Sequence, residues 1–312
     1  MKKIISLREP FNAKLVMRSV RSQNPLLVHA HSEEPVFSKV VPAGTRKMPV
    51  TVTLVHSRKG QVAEIEFLEA CSDIEQEEAV AFISRMLSNH VDLIPFYRQL
   101  GDEPVLGTIL PELYGMKILL EPNLYQNLVR TIIGQQMNLS FAAALVSRIT
   151  ERYGSPFQVK DSVIYSFPEP GALARLEPEE LMELQFSRRK AEYVIGLSRL
   201  VDEGTLDLYA LPALDDALIF EKLLPIRGIG KWTIECFLLF GVGRTDFFPA
   251  DDIGLKNAMK QLWGMGSQPS SPEMLAISSG WSPWRSYAAY YLWAWLDEWK
   301  LQKKAAAAPK KK

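Results

Sequence analysis

The feature that most constrains the fold is a short turn between two segments of helical periodicity. Residues 221–226 (EKLLPI) end one segment, residues 231–240 (KWTIECFLLF) begin another, and residues 227–230 (RGIG) separate them. Glycine is favoured where the backbone needs a positive φ or where another group approaches the main chain. A turn that opens a helix also presents unpaired N–H groups and the positive end of the helix dipole, which bind anions. The pattern predicts a helical hairpin that either holds a phosphate or uses its glycines for turn geometry alone.

Composition favours an ordinary globular protein with a sizeable core. The chain has 312 residues, of which 47% are hydrophobic and 23% charged, and its formal net charge is zero. Zero net charge does not by itself indicate a nucleic-acid partner. Cys71 and Cys236 are the only cysteines, which excludes a disulfide framework and a four-cysteine iron–sulfur cluster. No apolar run approaches the ~18 residues of a membrane span, and the N-terminal run is too short for a signal peptide. We expect a cytoplasmic protein.

Hydrophobic patterning divides the chain into a β-rich part and a helical part. Residues 1–90 are expected to form a small β domain, residues 91–300 a helical bundle, and residues 301–312 a disordered tail. Ser140 is predicted to cap a helix and Gly204 to end one. The predicted strands have the sequences AKLVMRSV, PLLVHA, FSKVV, PVTVTLVH and VAEIEFLE.

Two consecutive acids mark the start of a later helix. Asp251 and Asp252 precede a segment in which residues 255, 258, 259, 262 and 263 are apolar, the spacing of one helical face. One aspartate at a helix N-cap is routine. Because a cap needs only one of them, the second carboxylate is free for another role.

The C-terminal part combines many tryptophans with an absence of histidine. All seven tryptophans lie at Trp232 or later, and all four histidines lie in the first third of the chain. Chemistry in this part therefore has to use carboxylates and aromatic faces rather than imidazole. An electron-rich ring attracts a cation by roughly 0.5–2 kcal/mol, and a carboxylate stabilises developing positive charge.

Three segments together resemble the helix-hairpin-helix DNA glycosylases, and are most similar to the 3-methyladenine DNA glycosylase II (AlkA-type) branch. They are LPIRGIGKWT, DFFPADDIGL and SPWRSYAAYYLW, and NLVRTIIGQQMNLSFAA is similar to the helix and turn that carry the family's Gly-Gln pair. The resemblance covers residues 90–300, whereas residues 1–90 match in outline only. It implies an α+β fold, with a small N-terminal antiparallel β domain before an all-α bundle. It also implies a monomer that binds double-stranded DNA containing a damaged base.

The resemblance assigns the DNA contacts and one ion site. Gly228 and Gly230 would grip the DNA backbone, with Lys231 and Thr233 beside the phosphate, and Gln136 would fill the gap left by an extruded nucleotide. No catalytic cofactor is expected. Backbone carbonyls would hold a monovalent cation, Na⁺ or K⁺, between hairpin and phosphate, namely those of Leu224, Ile226 and Ile229.

The resemblance also assigns the catalytic residue. The family's catalytic aspartate is followed by two variable residues and an aliphatic one, as in Asp252-Ile-Gly-Leu255. Asp252 is therefore the predicted catalyst, and Asp251 is the helix cap or a supporting acid. Trp232 and Trp293 correspond to aromatic walls of the base pocket.

Two departures from the family pattern affect the predicted pocket. Cys236 and Ile253 stand where some members carry tyrosine, which implies a less aromatic pocket with different selectivity.

The reaction type follows from one further position. Relatives that also cleave the DNA strand carry a lysine nucleophile where this chain has Trp232, so the prediction is a glycosylase without lyase activity. An alkylated purine is already positively charged and can leave without being protonated. A pocket without histidine, which has no imidazole to donate a proton, suits such a substrate. Two alternatives remain open at this point: a bifunctional glycosylase/lyase for oxidised bases, and a non-catalytic protein that binds DNA through the hairpin.

Overall fold

The computed structural model describes residues 1–23, 35–58 and 60–307. It has a small antiparallel sheet near the N-terminus followed by a helical bundle, as predicted. The sheet has four strands in the order β1-β4-β3-β2, and every neighbouring pair is antiparallel. Its strands are β1 Lys2–Ser6, β2 Val36–Ala43, β3 Arg46–Ser57 and β4 Gly60–Phe67.

Three of the predicted strands are confirmed and one is wrong. FSKVV, PVTVTLVH and VAEIEFLE lie in β2, β3 and β4. The segment AKLVMRSV instead belongs to the helix α1, Ala13–Gln23. Val16, Met17 and Val20 are the residues that this helix buries, and their spacing is that of a helical face rather than an alternating strand. PLLVHA lies outside the described residues, and β1 was not predicted.

The sheet and two helices enclose the first hydrophobic core. Residues 48–52 of β3 are all buried, from Met48 through Val50 to Val52, so both faces of the strand are covered over this stretch. α1 and α2 (Asp73–Met86) contribute the other side of this core, together with Leu119 from the helical part. Leu119 therefore anchors the two parts of the chain to each other.

The rest of the chain is helical except for one small hairpin, β5 Pro156–Val159 with β6 Ser162–Tyr165. Its helices are α3 Ile94–Leu100, α4 Leu124–Gly134, α5 Leu139–Tyr153, α6 Pro170–Ala174, α7 Pro178–Glu183, α8 Arg188–Asp202, α9 Asp216–Leu223, α10 Lys231–Phe237, α11 Ile253–Leu262, α12 Ser271–Ser278 and α13 Arg285–Ala307.

Helix ends follow local side-chain chemistry. α4 ends at Gly134, and Gly204, with φ +71°, follows the end of α8 as predicted. The predicted cap Ser140 is wrong, because Asn138 caps α5 by accepting a hydrogen bond from the Phe141 N–H. The Ser140 hydroxyl only donates to the Asn138 side chain, at 2.9 Å.

The helical part has two hydrophobic cores rather than one. The first packs α4, α5, α8 and the buried face of α10, and the second packs α3, α11 and α13. Leu238 belongs to the first core and its neighbour Leu239 to the second. The segment that follows the predicted hairpin therefore runs along the junction between the two cores.

The C-terminal tail differs from expectation. Residues 301–307 continue α13 as a helix, so the prediction of a disordered tail is wrong for these residues, and residues 308–312 lie outside the described part. Within residues 1–23, 35–58 and 60–307, no helix is both long and apolar enough to cross a membrane.

Candidate active site

The hairpin joins α9 to α10 as predicted, and its two glycines serve different purposes. Gly228 has φ +95°, and a Cβ there would lie 2.4 Å from Cγ of the Tyr193 ring. Gly228 is therefore required by the fold itself. Gly230 has φ −111° and begins α10, and a Cβ there would meet nothing within 4 Å. Nothing within the described chain requires glycine at position 230, so the open backbone there suits approach by an external group.

Thr233 does not face the hairpin's outer surface. It is buried, and its Oγ1 accepts a hydrogen bond of 2.8 Å from Gln135 Nε2. The same amide donates to the Gly228 carbonyl, also at 2.8 Å. The expectation that the Thr233 hydroxyl contacts phosphate is therefore wrong: the hydroxyl instead fastens the turn after α4 to the hairpin.

Gln136 lies at the tip of that turn, between α4 and α5. It is exposed and has φ +51°, a conformation that L residues adopt rarely. Lys190 supports the turn from below by donating hydrogen bonds to the carbonyls of Ile132, Ile133 and Gln135, at 3.0, 2.8 and 2.8 Å. Gln136, the residue predicted to fill the gap in the DNA, therefore projects from a loop that Lys190 holds in place.

Three N–H donors converge on the Asp252 carboxylate. Oδ1 accepts from the Leu255 N–H at 2.8 Å and from Trp293 Nε1 at 2.9 Å. Oδ2 accepts from Trp232 Nε1 at 3.1 Å. Asp252 is thus the N-cap of α11 and also the meeting point of the two predicted wall residues.

Asp251 is not the helix cap. Its side chain is exposed, and Oδ1 accepts a hydrogen bond of 2.6 Å from the Ser271 hydroxyl. The expectation that Asp251 is the helix cap is therefore corrected, because Asp252 caps α11. The alternative, that Asp251 is a supporting acid, stays a prediction.

The tryptophan rings beside Asp252 are partly buried. Trp293 stacks on Phe240, with 5.8 Å between ring centroids and 29° between planes. Phe240 lies in a wide π-type turn, Leu238–Val242, that extends α10 and carries this ring to the site. Trp232 lies in the first turn of α10. Two of the three rings near Asp252, those of Trp232 and Trp293, were predicted from the sequence. The third, Phe240, which stacks on Trp293, was not.

The two positions that depart from the family pattern have opposite environments. Cys236 is buried, and burial, reinforced by the nearby Asp252 charge, raises the pKa of its thiol well above the usual range. The thiol is therefore neutral and unreactive. Ile253 is 61% exposed at the first position of α11, where it is free to contact a bound molecule.

A second carboxylate, Glu235, lies on α10 near the hairpin. It is buried, and within the described chain its Oε2 has no hydrogen-bond partner. Lys231, whose side chain is half-exposed, has its Nζ 3.8 Å from Oε1. Burial raises the pKa of Glu235 from 4.5 to about 7, opposed by the Lys231 charge and reinforced by Asp251. Glu235 is thus close to half-protonated at neutral pH.

The predicted cation ligands lie around the hairpin. The Ile226 carbonyl accepts a hydrogen bond of 3.0 Å from the Ile229 N–H, so one of its two lone pairs is in use. The carbonyls of Leu224 and Ile229 flank the same turn. Neutral carbonyl oxygens are suitable donors for a hard cation, so the donor set fits a monovalent ion.

Comparison with known proteins agrees with this arrangement. The sequence profile of the HhH-GPD superfamily base excision DNA repair proteins matches residues 129–283, which include the hairpin and Asp252. A DNA-3-methyladenine glycosylase of Bacillus subtilis is 32% identical over 264 residues, 84% of this chain and 86% of the relative. The chain belongs to the helix-hairpin-helix DNA glycosylases. It is therefore an enzyme that acts on the N-glycosidic bond.

Two further relatives extend the likeness beyond the hairpin. The Bacillus subtilis protein YfjP is 40% identical over 236 residues, which are 75% of this chain and 79% of that protein. The structure of a 3-methyladenine DNA-glycosylase from Archaeoglobus fulgidus superposes with a TM-score of 0.83 at 23% identity, covering 96% of this chain and 99% of that one. This last likeness supports the fold of the whole glycosylase, including the β domain.

Several residues of the site could not be found by motif. Gln135 bonds Thr233 across 98 positions and Lys190 reaches back 55 positions or more, so no local spacing indicates either contact. Phe240 and Glu235 lie in an apolar helical run that resembles ordinary core. The available signal was the acidic Glu235 within that run, because a buried carboxylate needs compensation and is a candidate for a functional role.

Proposed function

We propose that this glycosylase of base excision repair is monofunctional and removes alkylated purines, of the 3-methyladenine and 7-methylguanine type, from double-stranded DNA. The observation that carries the proposal is the Asp252 carboxylate held between the indoles of Trp232 and Trp293. The relative named DNA-3-methyladenine glycosylase supports the lesion class.

Binding would begin with extrusion of the damaged nucleotide from the duplex, at a cost of a few kcal/mol. Exposed Gln136 would occupy the gap, and the open backbone at Gly230 would receive the strand's phosphate. Lys231 would add a positive charge beside it. The hydrogen bonds from Gln135 to the hairpin hold wedge and hairpin at a fixed separation.

Bond cleavage would then need little more than charge stabilisation. An N3- or N7-alkylated purine is positively charged, and its ring would rest on the aromatic faces of the pocket. The C1′–N bond breaks with its electron pair passing to the base, which leaves as a neutral purine. The Asp252 carboxylate stabilises the sugar cation, and a water molecule adds to C1′ and loses a proton, leaving an abasic site.

The absence of lyase chemistry is argued from position 232. A Schiff-base mechanism requires an amine at the sugar, and Trp232 has none. The Nζ of the adjacent Lys231 lies beside Glu235 rather than Asp252. Borohydride treatment during the reaction should therefore trap no covalent protein–DNA adduct, and a trapped adduct would favour the bifunctional reading.

We also propose that the carbonyls of Leu224, Ile226 and Ile229 hold a monovalent cation when DNA is bound. The ion would supply positive charge between the hairpin and the phosphate. The chain's own contribution would be these three carbonyl oxygens, of which that of Ile226 also accepts the Ile229 N–H.

The proposal is tested by base release from methylated DNA. Asp252→Asn keeps an oxygen that can cap α11 but removes the negative charge, and should lower the single-turnover rate by about 10²-fold or more. Asp251→Asn is the matched control, because Asp251 is exposed and does not contact the tryptophans. Equal release by wild type and Asp252→Asn would refute the assignment. Tight DNA binding without release of any base would favour a non-catalytic binding protein.

A further inference from the structure

The two tryptophans contact Asp252 in a way that a pocket wall does not require. Each directs its indole N–H at a carboxylate oxygen, Trp293 at Oδ1 and Trp232 at Oδ2. On the basis of the proposed function, we infer that Trp232 and Trp293 are positioning residues. Their N–H groups fix the rotation of the Asp252 carboxylate and leave Oδ2 as the oxygen that faces the reacting sugar.

A count of acceptor sites identifies the reacting oxygen. An ionised carboxylate offers about four lone-pair sites, two on each oxygen. Oδ1 receives two donors, the Leu255 N–H and the Trp293 indole, and is saturated. Oδ2 receives only the Trp232 indole, at 3.1 Å, and retains one site. That remaining site is available to a water molecule or to positive charge on the sugar.

Gly254 provides an independent observation in support of the hydrogen bond between Trp293 and Asp252. A Cβ at this position would lie 2.8 Å from Asp252 Oδ1 and 3.1 Å from Trp293 Nε1. Gly254 is the second residue of α11, and glycine is among the weakest helix formers. The backbone there does not need a positive φ, so the absence of a side chain serves space rather than conformation.

The donors are also held rigidly enough to orient the acceptor. Trp293 stacks on Phe240 and follows the fully buried Leu292 on α13. Trp232 precedes Thr233, which is buried and bonded to Gln135. Leu255, the third donor, is fully buried in α11. The three donors thus come from three separate helices, α10, α11 and α13.

The first experiment measures the hydrogen bonds without relying on activity. The protein has seven tryptophans and so seven indole N–H resonances in a ¹H–¹⁵N spectrum. Trp232→Phe and Trp293→Phe assign two of them by their disappearance. Asp252→Asn and Gly254→Ala should shift these two resonances, whereas the resonance of Trp284, which packs against Phe96 elsewhere, should stay in place. If neither resonance moves, the inference is wrong.

The second experiment separates orientation from ring contact. Trp→Phe retains a ring face but no N–H, and benzothienylalanine at the same position retains the bicyclic face with sulfur in place of N–H. Each replacement at position 232 or 293 should lower the single-turnover rate of base release on the order of tenfold, because one charge-assisted hydrogen bond is lost. Affinity for DNA containing an abasic site should be unchanged, and Trp284→Phe should behave as wild type.

The outcomes distinguish the inference from the proposed function. Full activity of the benzothienylalanine variants would overturn the inference, since the ring face alone would then suffice. A fall in DNA affinity with an unchanged rate would overturn it equally, because the tryptophans would then act as walls. If wild type releases no alkylated base while both indole resonances respond to Asp252→Asn, the proposed function fails and the hydrogen-bonded arrangement stands.

Discussion

Replacing Glu235 by glutamine should stabilise the protein at alkaline pH. The carboxyl is 6% exposed, and its Oε2 has no hydrogen-bond partner among the described residues. Lys231 is the facing positive charge, at 3.8 Å, and Asp251 contributes an opposing negative charge. The buried Cys236 thiol is also close, and it is neutral. The ionised form of Glu235 is therefore poorly compensated in the folded state.

The sign and size of the effect on stability follow from the raised pKa of Glu235. Below pH 4.5 the carboxyl is protonated in both states and has no effect. Between 4.5 and about 7 the unfolded chain loses its proton while the folded protein keeps it, so stability falls as pH rises. Above pH 7 the carboxyl is ionised in both states, and the loss of folding stability reaches its full value. A rise of the pKa from 4.5 to about 7, at about 1.4 kcal/mol per pH unit, corresponds to at most about 3.5 kcal/mol.

Glu235→Gln removes the ionisation but keeps the shape of the side chain. Urea unfolding followed by tryptophan fluorescence should give nearly equal stabilities for variant and wild type near pH 4 and a more stable variant at pH 8. All seven tryptophans lie at Trp232 or later, so the signal reports on this region. Glu221→Gln, an exposed change on α9, should give no such difference. A difference between Glu235→Gln and wild type that is constant across this pH range would refute the reasoning.

Two further predictions concern the hairpin and its support. Gly228→Ala should cost about 1–3 kcal/mol in thermal unfolding, because a Cβ meets Tyr193 at a positive φ, whereas Gly230→Ala should melt like wild type and weaken DNA binding instead. Lys190→Met should lower stability by about 1–3 kcal/mol and reduce DNA affinity in anisotropy titrations, because three carbonyls lose their donor. Exposed Lys222→Met should change neither stability nor affinity. Equal effects of the two glycine changes would contradict the first prediction.

Sequence patterning predicted elements wherever one period was clear. α11 buries Leu255, Ala258 and Met259 at helical spacing, and this helix was recognised. β3, in which residues 48–52 are all buried, was recognised instead from its β-branched residues between turn signals. α1 was misread because a short run of mixed apolar and basic residues fits a strand or a helix almost equally. Its helical form is decided by tertiary packing, which places Val16 against the sheet.

The residues of the site also differ in whether a local sequence pattern predicts them. Asp252, Trp232 and Gly228 lie in motifs whose residues are close in sequence, so the resemblance of those motifs to the family pointed to them. Contacts that join distant segments leave no such mark, and the bond from Gln135 to Thr233 is an example. The cap assignment failed for a different reason: two adjacent aspartates compete for one backbone N–H, and only coordinates decide between them.

The catalytic role proposed for Asp252, added to its capping role, would link base release to heat sensitivity. Oδ1 closes the first turn of α11 and also receives the Trp293 indole. Helix ends fray more readily than their middles. Thermal fraying of this turn would swing the carboxylate away from its tryptophans while the remaining helices stay folded. Warming should therefore abolish base release several degrees before circular dichroism records a loss of helix.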